Sequence, residues 1–366
     1  MYIDKIKLTN FRSHKDADLT FDPSINLITG RNGSGKTNLL EAIYYLTIGK
    51  SHRKSPDKDL VMFDETYFRL DGYIATKEGR IRIETGFSPE QGRKMVKLNK
   101  TRLDRISELL QKVSCVQLSP DDIELTRGSP LIRRHFMDMA LVLTAPSYLH
   151  ALQEYRRVLS QRNELLRGVS VPDPTLLGVW DDQLVEWGAR LILKRFEFIN
   201  RLVDLVNKLY HSLSSNPVHI SLSYTPFGLS EAVSLERIQT LFREKLANNR
   251  ARELKQGYTL TGPHRDNLRI AFGGLSLKRF GSQGQHRLVS TALRLSQALY
   301  LKEENEDCPV VLFDDVFAEL DSQHKELLFQ MTLRFDQVFI VSPQEPKIFP
   351  RQAKKFHLQD GDFLQK

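Results

Sequence analysis

Residues 30–37 read Gly30-Arg31-Asn32-Gly33-Ser34-Gly35-Lys36-Thr37, which matches the pattern Gly-x-x-x-x-Gly-Lys-Thr. An apolar run at residues 25–29 leads into this stretch, and apolar residues at helical spacing follow from 37 to 48. Strand, glycine-rich loop and helix is the setting in which the pattern predicts a phosphate-binding loop. Glycines let the backbone curl so that successive N–H groups point at phosphate oxygens, and the helix adds its positive end.

The chemistry of this loop assigns a role to each of its last two residues. Lys36 is expected to reach the β- and γ-phosphates and to act in catalysis, and Thr37 to place its hydroxyl on Mg²⁺. We expect the nucleotide to contact Gly30, Arg31, Asn32, Gly33, Ser34, Gly35, Lys36 and Thr37.

The chemical partner of the loop does not occur until residues 310–315, which read Val-Val-Leu-Phe-Asp-Asp. Asp314 ends a strand of the buried type, where α/β sheets present their ligands, and is expected to hold Mg²⁺ through water. Asp315 is placed to polarise the attacking water, although a second metal carboxylate is an alternative role. The long separation indicates that something has been inserted between the two halves of the site.

Composition and charge limit the class of protein. The 366 residues carry 53 Lys and Arg against 45 Asp and Glu, a net charge of +8, with 40% hydrophobic residues. This basic balance fits a polyanionic partner such as nucleic acid, or a solvated surface with a basic bias. Two distant cysteines indicate no disulfide framework. With no signal-like start and no apolar run near the roughly 20 residues that span a bilayer, we expect a cytoplasmic protein without a membrane partner.

Periodicity divides the chain into a head and an insertion. Alternating residues predict strands near the start and antiparallel strands at 67–100. Apolar stripes predict helices at 147–167 and 176–213, joined by a connector at 169–175 and paired as an antiparallel hairpin. We therefore predict an α/β fold, with a head at 1–125 and 256–366 that combines a mixed sheet with antiparallel strands. A mainly helical domain with a short helical arm is predicted at 126–255.

A third motif resembles the signature loop of ABC-type P-loop ATPases. Residues 281–285 read Gly-Ser-Gln-Gly-Gln, similar to the Ser-x-Gly-Gln of that class, and lie before the Asp-Asp strand. In that class the loop caps the γ-phosphate bound by the other subunit, which implies that Ser282, Gly284 and Gln285 contact ATP held by a second copy. Residues 319–321 resemble the D-loop, and Gln117 the Q-loop glutamine that senses Mg²⁺ and water and so takes part in metal binding and catalysis. The resemblance implies a head whose sites are completed by ATP-dependent homodimerisation.

Residue 315 departs from the usual pattern of this class. Most relatives carry Glu where this chain has Asp315, and Asp is one methylene shorter. Water would be held less well there, so slow hydrolysis is expected.

Further segments resemble one family within this class. Residues 8–14 are similar to the entry segment of SMC-like DNA-repair ATPases, where an arginine, here Arg12, contacts nucleotide phosphate. Residues 120–138 and 262–267 resemble the two signatures of the RecF family of bacterial recombination proteins, except that Asn267 stands where the family usually has an acid. The resemblance covers the chain and implies a weak, DNA-stimulated ATPase that binds single-strand/double-strand junctions as a dimer. It also implies work with RecR and RecO to load RecA in DNA repair, replication restart and the SOS response.

The residues of these signatures leave several roles open. Arg133 and Arg134 diverge by about 100° on a helix and need separate partners. One could bind a carboxylate such as Asp138 while the other faces nucleotide or DNA, and a structural role for both is also open. His264 and Arg265 follow a glycine-proline turn, so a salt bridge inside the protein and a catalytic role are both open.

Two basic clusters are candidates for DNA contact, with solvated faces as the alternative. The first is predicted on a hairpin and consists of Arg93, Lys94, Lys97, Lys100, Arg102 and Arg105. The second lies between residues 243 and 255. No platform of interleaved aromatic residues is evident, which favours contact with the duplex backbone.

Three other functions compete with a DNA-binding ATPase. The nucleotide-binding subunit of a membrane transporter normally has a switch histidine near position 342, where this chain has Ser342. An ATP-dependent nuclease would need a further acidic metal site, and a structural SMC-like tether would need a longer arm.

Overall fold

The computed structural model describes residues 1–110, 112–168, 173–214, 218–344, 353–359 and 361–365, with the backbone alone at 319, 362, 364 and 365. In chain order the strands are β1 (Tyr2–Phe11), β2 (His14–Thr20), β3 (Ile25–Gly30), β4 (Phe68–Thr76), β5 (Gly79–Ser88), β6 (Arg93–Leu98), β7 (Thr101–Arg102), β8 (Cys115–Leu118), β9 (Ile220–Tyr224), β10 (Leu268–Phe272), β11 (Leu275–Ser276), β12 (Val310–Asp314), β13 (Val338–Ser342), β14 (Lys354–Gln359) and β15 (Asp362–Gln365). The helices are α1 (Lys36–Ile48), α2 (Ser107–Leu110), α3 (Glu124–Arg127), α4 (Pro130–Val142), α5 (Pro146–Arg167), α6 (Pro174–Leu213), α7 (Leu235–Gln256), α8 (Leu277–Phe280), α9 (Gln283–Glu304) and α10 (Ser322–Thr332).

The chain forms two compact units. The first contains residues 1–122, 209–216 and 291–366, and the second contains residues 123–208 and 217–290. This division differs from the predicted boundaries, which assign residues 256–290 to the head. The reason is local pairing: β10 pairs with β9, and the backbone N–H of Leu260 donates to Glu253 on α7.

The first unit contains the sheet that carries the predicted phosphate-binding loop at residues 30–37. Its order is β15-β14-β3-β13-β12-β8, and every pair is parallel except β14 with β15. The strands β12 and β13 are buried along their whole length, as expected for a parallel sheet covered on both faces. Because parallel strands end at the same edge, the loop after β3 and the carboxylate that ends β12 share one edge of the sheet.

A second sheet of the first unit is antiparallel, in the order β2-β1-β4-β5-β6-β7. Its core face includes Ile3, Ile6, Leu8, Leu70 and Ile74, all fully buried. A bulge between Ile3 and Lys5 shifts the register of β1 against β4, so that both Ile3 and Ile6 can lie inside. The predicted α/β fold of a mixed sheet with antiparallel strands is confirmed.

The second unit is mainly helical, with a small sheet in the order β11-β10-β9. Arg162 on α5 contacts Asp181 on α6, and His150 on α5 packs edge-on against Trp187 on α6. As one helix is followed forward the contacts move backward along the other, so the two helices run antiparallel. Of the predicted connector between them, residues 169–172 lie outside the described part of the chain.

Candidate nucleotide-binding site

The loop at 30–37 has a backbone that glycine makes possible. Gly30, Gly33 and Gly35 all have positive φ, at 150°, 83° and 102°. A side chain at Gly30 would also collide with the carbonyl oxygen of Leu358 on the neighbouring strand β14. At Gly35 an added Cβ would lie 2.7 Å from the hydroxyl oxygen of Ser13. The spacing of glycines therefore reflects both the left-handed backbone and the crowding around the loop.

Lys36 lies across the loop that it follows. Its ammonium donates to the carbonyl oxygens of Gly30 at 2.8 Å and Arg31 at 2.9 Å, and the residue is only 4% exposed. Burial lowers the pKa of Lys36, while the carboxylates of Asp315 and Asp314 act in the opposite direction. A phosphate that replaced the two carbonyl oxygens would supply a full negative charge to the same ammonium.

Thr37 meets Asp314 across the edge of the sheet. The Thr37 hydroxyl donates to Asp314 Oδ1 at 2.9 Å, which joins the first residues of α1 to the end of β12. Burial raises the pKa of Asp314 to about 6 and also raises that of Asp315. A hydroxyl and a carboxylate at this distance form a pair of oxygen ligands of the type that Mg²⁺ prefers.

Asp315 stands at a turn rather than on the strand. Its φ is 53°, a left-handed conformation that only a minority of residues other than glycine adopt, and it precedes a short 3-10 turn at Val316–Glu319. The carboxylate atom Oδ1 is buried and has no hydrogen-bond partner. The turn thus directs the chain away from the sheet directly after the two carboxylates.

Gln117 is held by a histidine that the sequence analysis missed. Gln117 lies on β8, opposite Leu312 on β12, and its Nε2 is 3.0 Å from Nε2 of His52. An amide nitrogen can only donate, so His52 accepts through Nε2 and carries its proton on Nδ1. Burial lowers the pKa of His52 to about 4, which keeps the ring neutral. This arrangement leaves Gln117 Oε1 buried without a partner.

Arg12 is engaged by groups of its own chain. It donates through Nε and Nη2 to the carboxylate of Glu41, which is fully buried, at 2.9 and 3.1 Å. Further donors reach Ser55 Oγ and the carbonyl oxygen of Asp59, both at 2.8 Å. These bonds use four of the five N–H donors of the guanidinium, so the predicted contact of Arg12 with phosphate has one Nη1 donor left or would replace one of these bonds. Glu41 lies within the predicted helix, and nothing in its spacing marks it as the partner of a residue so far back in the chain.

Buried polar atoms without a partner are concentrated among these residues. In the part of the chain that the structure describes, they include Ser34 Oγ, His52 Nδ1, Gln117 Oε1 and Asp315 Oδ1. Folding leaves few such atoms, because each loses its bonds to water. Their concentration indicates a site built to receive polar ligands.

The predicted signature residues lie in the second unit, at the start of α9. The backbone N–H of Ser282 donates to Gln285 Oε1 at 2.8 Å, and that of Gln285 to Ser282 Oγ at 3.2 Å. Gly284 is exposed, and an added side chain there would meet open space. This helix start is therefore free to approach another molecule. In the predicted D-loop, Asp321 caps α10 through the N–H of His324, and the side chain of Glu319 is outside the described part.

The two RecF-like segments meet inside the second unit. Arg195 on α6, which is 2% exposed, donates to Asp138 at 2.8 Å and to the carbonyl oxygen of Pro263 at 2.8 Å. Asp138 is therefore the partner of Arg195, and neither Arg133 nor Arg134 binds it. Those two arginines do diverge, as expected from their spacing.

Residues 264–267 of the second RecF-like segment form their own hydrogen bonds within this unit. Arg133 donates through Nε to Asn267 Oδ1 at 3.0 Å, and Arg134 to the carbonyl oxygen of Asp266 at 2.7 Å. His264 lies between Tyr155, whose hydroxyl is 2.6 Å from Nδ1, and the carbonyl oxygen of Thr259, 3.1 Å from Nε2. Both ring nitrogens are thus occupied by bonds within the unit.

The first basic cluster is split between two faces of β6. Side chains alternate along a strand, so Lys94 lies on the same face as the buried Val96. Lys94 contacts the carbonyl oxygen of Gly49 and lies 4.0 Å from the centre of the Tyr45 ring. Lys97 lies on the other face, opposite Arg102 of β7. Arg93, Lys100, Arg102 and Arg105 are exposed, so Lys94 alone is turned toward the interior.

Within the described residues, no helix is long and apolar enough to cross a bilayer.

Comparison with known proteins assigns the family. The family described as RecF/RecN/SMC N terminal domain matches residues 2–356. The DNA replication and repair protein RecF of Bacillus mycoides (strain KBAB4) is 35% identical over 99% of this chain and 98% of its own length. The RecF of Halothermothrix orenii (strain H 168) is 37% identical over 93% of this chain and 92% of its own length.

Solved structures agree with this assignment. A solved structure of the recombination mediator protein RecF with ATP, in the RecFOR pathway, superimposes with a TM-score of 0.93, at 32% identity. The superposition covers 100% of this chain and 97% of the RecF chain in that structure. An SMC head bound to the C-terminal winged-helix domain of ScpA shares the fold, with a TM-score of 0.58 and 18% identity. The chain therefore belongs to the RecF family of DNA replication and repair proteins, which are ABC-type ATPases.

Proposed function

We propose that this protein is an ATP-switched, DNA-binding recombination mediator. In this proposal it dimerises on ATP, binds DNA at single-strand gaps and junctions, and promotes RecA loading together with RecO and RecR in the cytoplasm. The output is DNA repair, replication restart and SOS induction. Family membership supports the DNA-repair role, and the place of the matched RecF structure in the RecFOR pathway supports the RecO and RecR partners.

One observation carries the nucleotide part of the proposal: the hydrogen bond of 2.9 Å between Thr37 and Asp314. It brings the end of the glycine loop and the Asp-Asp strand, which are far apart in sequence, into direct contact. Thr37, Asp314 and the unpaired Gln117 Oε1 are the oxygen atoms that would hold Mg²⁺. The metal would neutralise phosphate charge when ATP is bound. Lys36 would exchange its two carbonyl partners for phosphate oxygens.

Asp315 is proposed to orient and deprotonate the attacking water. Burial raises its pKa, which makes the carboxylate a better proton acceptor, and its Oδ1 has no competing partner. Because Asp is shorter than Glu, the water would be held less firmly, and we expect weak hydrolysis that DNA stimulates. ATP would thus act mainly as a switch between binding states.

The composite site is proposed to form between two copies. The exposed start of α9 would bring Ser282, Gly284 and Gln285 to ATP bound by the partner. The exposed cations Arg93, Lys100, Arg102 and Arg105 and the partly exposed Lys97 are proposed DNA contacts. Lys94 is proposed to support the hairpin from inside.

A mixing experiment tests the composite site. Lys36→Ala removes the phosphate contact, and Ser282→Arg blocks the signature, so each variant alone should lose ATP turnover. In a mixture, each heterodimer has one site with both halves intact, and turnover should return to about a quarter of the wild-type rate. Exposed Lys112→Ala is the matched control for Lys36→Ala.

The assembly step needs its own measurement. Light scattering on full-length protein, with and without ATP and gapped DNA, should show a dimer only with nucleotide. A monomer under saturating ATP, or no recovery of turnover on mixing, would reject the composite site. The alternative of an ATPase that acts as a monomer would then be favoured.

A further inference from the structure

The second unit contains a basic groove that the nucleotide site does not use. The groove has a volume of about 620 Å³ and lies beside β10, β11 and α8. Four cationic side chains line it, and its lining includes no acidic residue. The four are Arg133, Arg269, Lys278 and Arg279. Such a concentration of one sign of charge in a concave surface attracts anions.

The floor of the groove holds a buried charge without a counterion. Arg133 is 5% exposed, and its partners are neutral: Asn267 Oδ1 and the carbonyl oxygens of Leu125 and Gly128, at 3.0, 3.2 and 3.1 Å. Among the described residues it forms no ion pair. Burial and the adjacent Arg134 lower the pKa of Arg133, as expected for a cation that no anion stabilises.

The other deeply buried arginines of this unit show the contrast. Arg162 is paired with Asp181 and Glu253, both at 2.7 Å, and Arg195 with Asp138 at 2.8 Å. Buried charges are normally paired in this way, because an unpaired one loses its hydration without compensation. Arg133 faces a cavity instead, which indicates that its counterion comes from a ligand.

The rim of the groove adds an exposed aromatic ring to the cations. Lys278, Arg279 and Phe280 are consecutive on α8, and Phe280 is 68% exposed. Arg269 and Arg279 are exposed as well. A flat ring beside several cations is the combination that binds single-stranded nucleic acid, because phosphates contact the cations while bases stack on the ring.

We infer that this groove binds single-stranded DNA, with a backbone phosphate at Arg133 and a base on Phe280. The inference rests on the proposed DNA binding and assigns a place to its single-stranded part. An acidic protein segment would supply carboxylates for the cations but would leave the exposed ring without a planar partner. The groove ends at α8, directly before residues 281–285, so bound DNA would lie next to the predicted signature.

Asn267→Asp tests the role of Arg133 with the smallest change in shape. The new carboxylate would lie about 3.0 Å from Arg133 Nε, where the amide oxygen is now, and would neutralise the buried charge from within. The unfolding temperature and the affinity for ATP should be equal to or higher than those of the wild type. Affinity for an oligo-dT strand should fall several-fold, and the log–log salt slope should decrease by about 0.7, the value for one phosphate of a single strand.

Two further variants make the experiment specific. Asn200→Asp introduces the same charge at an exposed position of the same unit and should leave binding unchanged. Phe280→Ala should weaken binding of oligo-dT more than binding of a blunt duplex. All measurements use the full chain with ATP, by fluorescence anisotropy at several salt concentrations.

The outcomes separate the groove from the general function. If Asn267→Asp and Phe280→Ala bind oligo-dT as the wild type does, the groove is not the DNA site. If poly-glutamate displaces oligo-dT at equal charge concentration, the groove prefers acidic protein and the inference is overturned. If the wild-type chain binds neither single-stranded nor gapped DNA with ATP, the proposed function itself fails.

Discussion

Replacing Arg195 by methionine should destabilise the second unit strongly. The guanidinium contacts Asp138 and the carbonyl oxygen of Pro263 at 2.8 Å and the Tyr148 hydroxyl at 3.1 Å. Methionine fills a similar volume but leaves the buried Asp138 carboxylate with only the exposed Arg156, 3.8 Å away, as a cation. Loss of one partner from a buried ion pair costs about 3–5 kcal/mol. For a unit of this size the unfolding temperature should fall by on the order of 10 °C.

Calorimetry of the full chain measures this change. Arg190→Met is the control, because Arg190 lies on the same helix in an exposed pair with Glu186 and should lose less than about 1 kcal/mol. Adding Asp138→Asn to Arg195→Met removes the stranded charge and should recover part of the loss. A loss below about 1 kcal/mol for Arg195→Met, or no recovery in the double variant, would refute the argument that this charge pair joins the two signature segments.

Three further predictions concern a histidine, the basic cluster and the Q-loop. His264 has a pKa lowered by burial to about 4, against 6.5 for the free side chain. As pH falls, the histidine of the unfolded chain therefore takes up a proton before that of the folded chain does. Stability should therefore be lost as pH falls from 6.5 towards 4, by about 3 kcal/mol for this group, and His264→Gln should flatten that part of a denaturation-versus-pH curve. Lys94→Met should lower the unfolding temperature without changing the salt slope of DNA binding, whereas Arg102→Glu should change the salt slope without lowering the unfolding temperature. If the two variants had the same effects on unfolding temperature and salt slope, the inward orientation of Lys94 would be contradicted. His52→Ala should reduce ATP turnover more than ATP affinity, because Gln117 loses the partner that fixes its amide; unchanged turnover would remove His52 from the site.

Local chemistry carries the predictions made for the candidate nucleotide site. The residues from Gly30 to Thr37 are contiguous, and their roles follow from backbone geometry and the charge of a phosphate. Asp314 is recognisable from sequence because an apolar strand that ends in carboxylates indicates the ligand-binding edge of a parallel sheet. The inward position of Lys94 could also have been predicted, since it alternates with the apolar Val96 on β6.

The missed contacts depend on distance in space rather than on pattern. His52 lies in a polar segment with no periodicity, and only the pairing of β8 with β12 places Gln117 beside it. Arg195 is one of several charged residues on a long helix, and its burial depends on the approach of Pro263 and Asp138. The predicted boundary lies at residues 255 and 256, whereas the structure extends the second unit through the strands that follow, to residue 290.

The position of β3 has a consequence for how the protein is made. This strand, which leads into the predicted phosphate-binding loop, is hydrogen-bonded on one side to β13 and on the other to β14. Both neighbours are synthesised some 300 residues later, so the strand leaves the ribosome with neither edge covered. Contacts of such long range form slowly, and ATP cannot bind and stabilise the site before the strands that flank it have been synthesised. Nascent chains should therefore be most vulnerable to aggregation and most dependent on chaperones until residues 338–359 have emerged.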